Sequence, residues 1–165
     1  MEKNDLEALY RKYYKPLFLY ALSFTGSGPD AEDLVSDTFI RAYLSYTADK
    51  GDVLKWMMVV LRHIFIDQYR RKRHIIDDGE TLLAWFQDDC DILTRYIQEE
   101  RKRWVYRQIY MLPRREREIM LLTAAADMSD TQIAEIVHLD VGHVRVIKHR
   151  VRRRLAELAR KEGYL

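Results

Sequence analysis

The stretch Ile133–Leu155, IAEIVHLDVGHVRVIKHRVRRRL, holds two helical patterns on either side of a short turn, and its second half is strongly basic. On a 3.6-residue wheel, Val144, Ile147, Val151, Leu155 and Leu158 form one stripe, which must pack on the preceding helix. The opposite side carries Arg145, Val146, His149 and Arg153, with Arg150 and Arg152 on the flanks and His143 in the first turn. A helix this narrow and this basic fits the major groove of duplex DNA, with its first turns reaching base edges. Arginine grips guanine bidentately, each such pair being worth about 1–3 kcal/mol of discrimination. Arginines further along neutralise phosphates, which position a protein without reading sequence. A solvated charged helix at the end of an ordinary bundle would show the same wheel. The preceding IAEIVHL supplies the other half of a helix-turn-helix, which such a helix lacks.

Charge along the chain is divided in a way that the total hides. The 165 residues sum to a net +2. Residues 1–74 hold 12 basic and 10 acidic side chains, residues 75–100 hold 1 and 8, and residues 101–165 hold 15 and 8. A balanced front, an acidic middle and a basic back point to nucleic acid at one end. Cys90 is the only cysteine, which excludes a disulfide framework or a cysteine-based zinc cluster. The histidines at 63, 74, 138, 143 and 149 lack the i,i+4 spacing of a helical metal pair, so no metal and no cofactor are expected. The opening MEKNDLEALYRKYY is too charged for a signal-peptide core. The longest apolar run, Trp56 to Leu61, falls far short of the roughly 20 residues a membrane span needs. A soluble cytoplasmic protein without membrane insertion is expected.

Almost every periodic segment has helical spacing, and no clean strand alternation appears. Leu6, Leu9, Tyr13, Leu17 and Tyr20 or Ala21 repeat at threes and fours. Thr25 to Asp30 breaks the chain, with Asp30 expected to cap a helix running to about Tyr46. Thr47 to Asp52 is a loop, and a long helix follows to about Arg73. Residues 75–98 mix acid with isolated apolar clusters, including Leu82 to Phe86, and read as a tether with one short helical candidate at Thr81 to Gln87. Helical signal resumes near Glu99, breaks at Leu112-Pro113, and resumes over Arg114 to Ala124. Ser129 and Gln132 then form a capping box. The expected fold is all-α: a helical domain over 1–74, an acidic linker over 75–98 and a helix-turn-helix domain over 99–165.

Two faces of the first domain bear on partners. On the helix from Ala31 to Tyr46, Leu34, Val35, Thr38, Phe39, Ala42 and Tyr46 face the core. Opposite lie Asp33, Ser36, Asp37, Ile40, Arg41 and Leu44. Ile40 and Leu44 are apolar, one turn apart, on the side that should be wet. On the next helix Leu54, Met57, Leu61, Ile64 and Phe65 form the core face, and Met58 is also core filling. Away from it run Lys55, Val59, Arg62, His63, Ile66, Arg70 and Arg73. Cations interleaved with aliphatics suit single-stranded nucleic acid, whose bases stack while its phosphates are neutralised. Trp56 sits on the margin, where core packing and base stacking are both open to it.

DAEDLVSDTFIRAY (30–43), LPRREREIMLL (112–122), IAEIVHLDVGHV (133–144) and HRVRRRL (149–155), in this order, closely resemble the extracytoplasmic-function (ECF) sigma factors, promoter-reading subunits of bacterial RNA polymerase. The resemblance spans about residues 5–160. It implies that Asp33, Ser36, Asp37, Ile40, Arg41 and Leu44 grip the clamp helices of the polymerase largest subunit. It implies that Arg145, Val146, His149 and Arg150 read the minus-thirty-five promoter element. Trp56, Arg62, Asp67 and Arg70-Arg71 match the family's melting helix. There the loop Tyr46 to Val53 and the following helix capture a flipped minus-ten base, in a pocket that His63 would line. The linker is expected near the polymerase active site. An anti-sigma partner is usual in the family, although no residue here identifies one.

Departures from the family pattern are few. His138 replaces a turn glycine, His63 an asparagine, and Val146 a small polar residue, while Lys148 stands where an apolar one is expected. A stand-alone helix-turn-helix regulator would explain the C-terminal third but leave Ile40, Leu44 and the basic face of the first domain unused. An enzyme is not expected, because no phosphate-binding glycine loop, metal-ligand cluster or activated nucleophile is recognisable.

Overall fold

The computed structural model describes residues 2–72 and 91–165, and among them every regular element is helical. The chain divides into two compact units. The first holds α1 (Lys3–Thr25), α2 (Gly28–Ser45), a 3-10 turn (Ala48–Lys50) and α3 (Val53–Lys72). The second holds α4 (Asp91–Tyr96), α5 (Glu100–Tyr110), α6 (Arg114–Ala124), α7 (Asp130–Val137) and α8 (Val141–Lys161).

In the first unit all three long helices pack on one another. The front of α1 is a half-buried stripe of Leu6, Leu9 and Tyr13, whereas its back half, Leu17 to Thr25, is buried all round between α2 and α3. Phe24 stacks on Phe65 with ring centroids 4.7 Å apart, and Tyr20 meets Phe24 edge-on at 4.8 Å. Gly26 ends α1 in the left-handed conformation at φ 63°, its amide donating to Leu22 O. Such a cap favours the residue without a Cβ. The cap of α2 differs from expectation: it is Ser27, whose hydroxyl accepts from the Asp30 amide, and Pro29 lies in the first turn. Proline pre-sets the helical φ there and needs no hydrogen bond, so the helix starts before Asp30. Asp52 Oδ1 accepts from the Lys55 amide at 2.9 Å and so opens α3.

The second unit begins earlier than the sequence pattern implies. Asp91–Tyr96 is helical, and Ile92, Leu93 and Ile97 are buried, although all lie within the stretch expected to be a tether. Their spacing gives a single short apolar face, too brief for periodicity to separate from isolated clusters. Arg103 fastens the segment by donating to the carbonyls of Ile97 and Gln98 at 2.8 and 2.7 Å. The expectations for Thr81 to Gln87, Leu82 to Phe86, Cys90, Arg73 and the Arg70 side chain lie outside the described residues.

Helices α6, α7 and α8 pack on one another, and α5 on α6. The capping box at Ser129 forms as expected: its hydroxyl accepts from the Gln132 amide, and Gln132 Oε1 accepts from the Ser129 amide. At the far end, Trp104 of α5 donates its indole N–H to Glu162 and stacks on Tyr164 at 4.9 Å. His138 ends α7 at φ 58°, ψ 48°, in the left-handed region the missing glycine would have occupied. Its side chain is exposed, so the strain is not offset by burial. His138→Gly is therefore expected to stabilise the second unit by about 0.5–1 kcal/mol, read as a raised urea midpoint. An unchanged or lowered midpoint would mean that the imidazole holds the turn in some other way.

Candidate nucleic-acid and polymerase interfaces

The turn His138-Leu139-Asp140 sets α8 against α7 through Val144, Ile147 and Val151, all buried, with Leu155 and Leu158 half-buried behind them. The other side of α8 is open. His143, Arg145, Val146, His149, Arg150, Arg152 and Arg153 are all exposed, and Val146 is 59% exposed among these cations. Ile147 fills the packing position, as expected from the sequence. Lys148 is also buried, at 9% exposure, with its Nζ 2.6 Å from Asp130 Oδ1. The other oxygen of Asp130 lies 3.4 Å from Arg145 Nε.

The Lys148 hydrogen bond, then the Lys148 charge and the Arg145 bond, hold the Asp130 carboxyl below the usual aspartate range against a small burial cost. A depressed folded-state pKa means that the pair stabilises the fold above the ordinary aspartate range. That contribution is lost as pH falls through the depressed value. Further along, Arg153 Nε lies 3.7 Å from Glu157, and Arg154 is bound to Glu116 at 2.7 Å. Asp130 was not legible as a participant. It stands 15 and 18 residues from its partners, and the lysine at an apolar position of α8 was the sole hint.

On α2 every residue expected to face a partner is exposed: Asp33, Ser36, Asp37, Ile40, Arg41 and Leu44. Ile40 and Leu44 are 57% and 74% exposed. Tyr43 lies between them in sequence and is exposed too, a neighbour the sequence reading passed over. Asp33, Ser36, Asp37 and Arg41 also line a cleft of about 790 Å³ with Asp67 and Gln68 of α3, and Gln68 Nε2 donates to Asp37 at 3.4 Å. The polar side of α2 is thus continuous with a charged groove rather than flat.

On α3, His63 is exposed, and Lys55, Arg62, Val59 and Ile66 are half-buried. Trp56 belongs to neither extreme. It is half-buried, with the Tyr46 ring at 5.4 Å and the Lys50 ammonium 5.4 Å from its ring centroid. Tyr46 in turn donates its hydroxyl to Gly51 O at 2.7 Å, closing the loop on itself. A second cleft of about 570 Å³ adjoins this loop, lined by Tyr46 and Thr47 together with Asp5, Leu9, Lys12 and Tyr13 of α1. His63 is not in its wall; it projects from α3 two turns beyond Trp56.

A three-helix unit with an exposed apolar pair on a charged helix face is followed by a helix-turn-helix whose exposed side is cationic. The family models for sigma-70 region 2 and sigma-70 region 4 match residues 9–75 and 102–155. The RNA polymerase sigma factor YlaC of Bacillus subtilis is 27% identical over 157 residues, covering 91% of this chain and 89% of the relative. The ECF sigma factor SigM of the same organism is 26% identical over 165 residues, covering 93% and 94%. A solved structure, the sigma factor RpoE of Bartonella quintana in complex with the anti-sigma factor NepR, shares the fold. Its TM-score is 0.66 at 22% identity, over 96% of this chain and 98% of that one. The chain belongs to the ECF sigma factors of the sigma-70 family. It is an alternative sigma factor that directs promoter-specific transcription by RNA polymerase, not a stand-alone regulator. Sigma factors act in initiation and are not catalytic by themselves. Among the described residues no helix is long and apolar enough to cross a membrane.

Proposed function

We propose that three faces of this chain divide the work of initiation. The outer side of α2, with Ile40 and Leu44 at its centre and Asp33, Ser36, Asp37 and Arg41 around them, docks on the clamp helices of the polymerase largest subunit. The exposed side of α8 reads the minus-thirty-five element through His143, Arg145, Val146, His149 and Arg150, while Arg153 anchors a phosphate. Lys55, Arg62, His63, Arg70 and Arg73 receive the opened minus-ten strand, with the Trp56-buttressed loop beside them. The single observation that carries the reading is the exposure of Ile40 and Leu44 on an otherwise charged helix face. Two large aliphatics left in water one turn apart are accounted for by a partner that covers them.

The protein works where core polymerase is, in the cytoplasm, and carries no enzymatic activity of its own. The acidic sequence expected as a linker over residues 75–98, apart from the helical Asp91–Tyr96, is suited by its charge to occupy a basic channel of the enzyme before RNA does. An inhibitor of the anti-sigma class, the kind bound to the Bartonella neighbour, is proposed for this chain as well, with no residue assigned to it.

Run-off transcription from a promoter library, with core polymerase and this protein, tests the whole reading by showing whether a defined set of start sites appears. The melting face has its own test. His63→Ala should leave closed-complex formation intact and weaken the permanganate-reactive bubble on duplex promoters. A template already melted over the minus-ten region should restore much of the activity, because the few kcal/mol of unpairing have been supplied in advance. An equal bubble from wild type and His63→Ala would remove His63 from the strand-capturing face and leave the Tyr46–Thr47 cleft as its replacement.

A further inference from the structure

Asp130 divides its two carboxylate oxygens between two cations of different standing. Lys148 is one. Its side chain is 11% exposed and lies on the packing side of α8, so its ammonium requires a fixed anion, and Oδ1 provides it at 2.6 Å. Arg145 is the other, with a side chain 68% exposed on the reading side. Asp130 lies in the first turn of α7, where unsatisfied backbone amides favour negative charge, so the carboxylate is held from two directions before Arg145 approaches it. An exposed arginine–carboxylate pair ordinarily adds little, because both side chains must be ordered to make it. Here one partner is ordered already.

The atoms engaged matter as much as the pairing. Asp130 Oδ2 meets Arg145 at Nε, 3.4 Å away. The terminal nitrogens of the guanidinium donate no hydrogen bond among the described residues. Those two nitrogens are the edge that matches guanine O6 and N7. A carboxylate at Nε thus limits rotation of the fork while leaving its reading edge outward. We propose that Asp130 is a positioning residue for promoter recognition: anchored by Lys148, it presets Arg145 for bidentate contact with a base in the upstream element. The proposal rests on the reading of α8 as the helix that contacts that element. It assigns Asp130 and Lys148 a part in specificity although neither need touch DNA.

The consequences separate positioning from bulk electrostatics. Removing the Asp130 charge takes a negative group away from a DNA-facing surface, so affinity for duplexes of any sequence should hold or rise at low salt. Discrimination at the one base pair read by Arg145 should fall, because an unrestrained arginine must be ordered at the moment of binding. Loss of specificity without loss of affinity is not what a damaged fold produces.

The experiment selects binding sites from a random duplex library with holoenzyme reconstituted from core polymerase and the full chain. The proteins compared are wild type, Arg145→Ala, Asp130→Asn, and the double variant Asp130→Ala with Lys148→Met, which removes the buried ammonium along with its partner and so avoids an unpaired buried charge. Arg145→Ala should erase the preference at one upstream position. Both Asp130 variants should weaken that same preference by about three- to tenfold, within the range seen for coupling between touching residues, with total duplex binding undiminished. Wild-type preference in both Asp130 variants, alongside its loss in Arg145→Ala, would overturn the positioning role and leave Arg145 as a reader. A uniform fall at all positions in the Asp130 variants would overturn it in favour of a structural role. If Arg145→Ala itself leaves every preference unchanged, the reading of α8 fails first and the proposal with it.

Discussion

Replacing Ile40 and Leu44 together by aspartate is expected to abolish binding of the protein to core RNA polymerase while both units stay folded. Both side chains are more than half exposed on α2, so neither substitution opens a cavity or buries a charge within the chain. The helix keeps its packing through Ala31, Leu34, Val35, Thr38, Phe39 and Ala42, all buried on the far side. In the proposed docking the two positions would lie at the centre of an apolar contact. Truncating a hot-spot residue at the centre of an interface costs about 2 kcal/mol or more, and a desolvated carboxylate adds to that. Two such losses lower affinity by about a thousandfold or more. Co-purification with tagged core polymerase, with helical circular dichroism as the folding control, measures it. Wild-type recovery of the double variant would move the docking surface elsewhere on the first unit.

Arg145→Ala and His149→Ala are expected to weaken recognition of the upstream element in a sequence-dependent way, and Arg153→Ala to weaken binding to every sequence alike. The three side chains share one exposed face of α8 but not one depth along it: Arg145 and His149 lie in its second and third turns and Arg153 one turn beyond His149. Losing a base contact costs about 1–3 kcal/mol on the preferred sequence and little on others. Losing a phosphate contact flattens the plot of log affinity against log salt by about one unit, whatever the sequence. Arg145→Ala is a clean substitution here because Lys148 still neutralises Asp130, so no unpaired carboxylate is turned toward the DNA. Titrations of holoenzyme on matched and scrambled upstream elements, at several salt concentrations, separate the two signatures. Equal losses for all three variants on both sequences would dissolve the division into readers and anchors.

The helices and their buried faces were legible because their information is local. The stripe on α8, the core side of α2, the Ser129 capping box and the left-handed turn at His138 each depend on residues within a turn or two of one another. The exposed positions of Ile40, Leu44, Arg145 and His149 followed from the same wheels. Where the reading departed from the structure, the deciding contact was either very short or very long in range. Ser27 outranked Asp30 as a cap because Pro29 made an earlier start inexpensive, a choice among adjacent polar residues that composition does not rank. Helix α4 escaped notice because one turn and a half offers too few residues for a period. The Asp130 carboxylate and the cleft between α1 and Tyr46 depend on chain segments brought together from afar, which no spacing in the sequence records.

Trp104 has a use that follows from where it lies. Its indole nitrogen is bonded to Glu162 and its ring is stacked on Tyr164, both just beyond the last turn of α8, 58 and 60 positions further along the chain. Indole emission responds to a carboxylate at the nitrogen and to a ring on its face. In a protein carrying Trp56→Phe and Trp85→Phe, the one remaining tryptophan therefore becomes an unlabelled optical sensor of α8. It reports whether the end of that helix stays docked on α5 when a promoter, a polymerase or an inhibitor arrives.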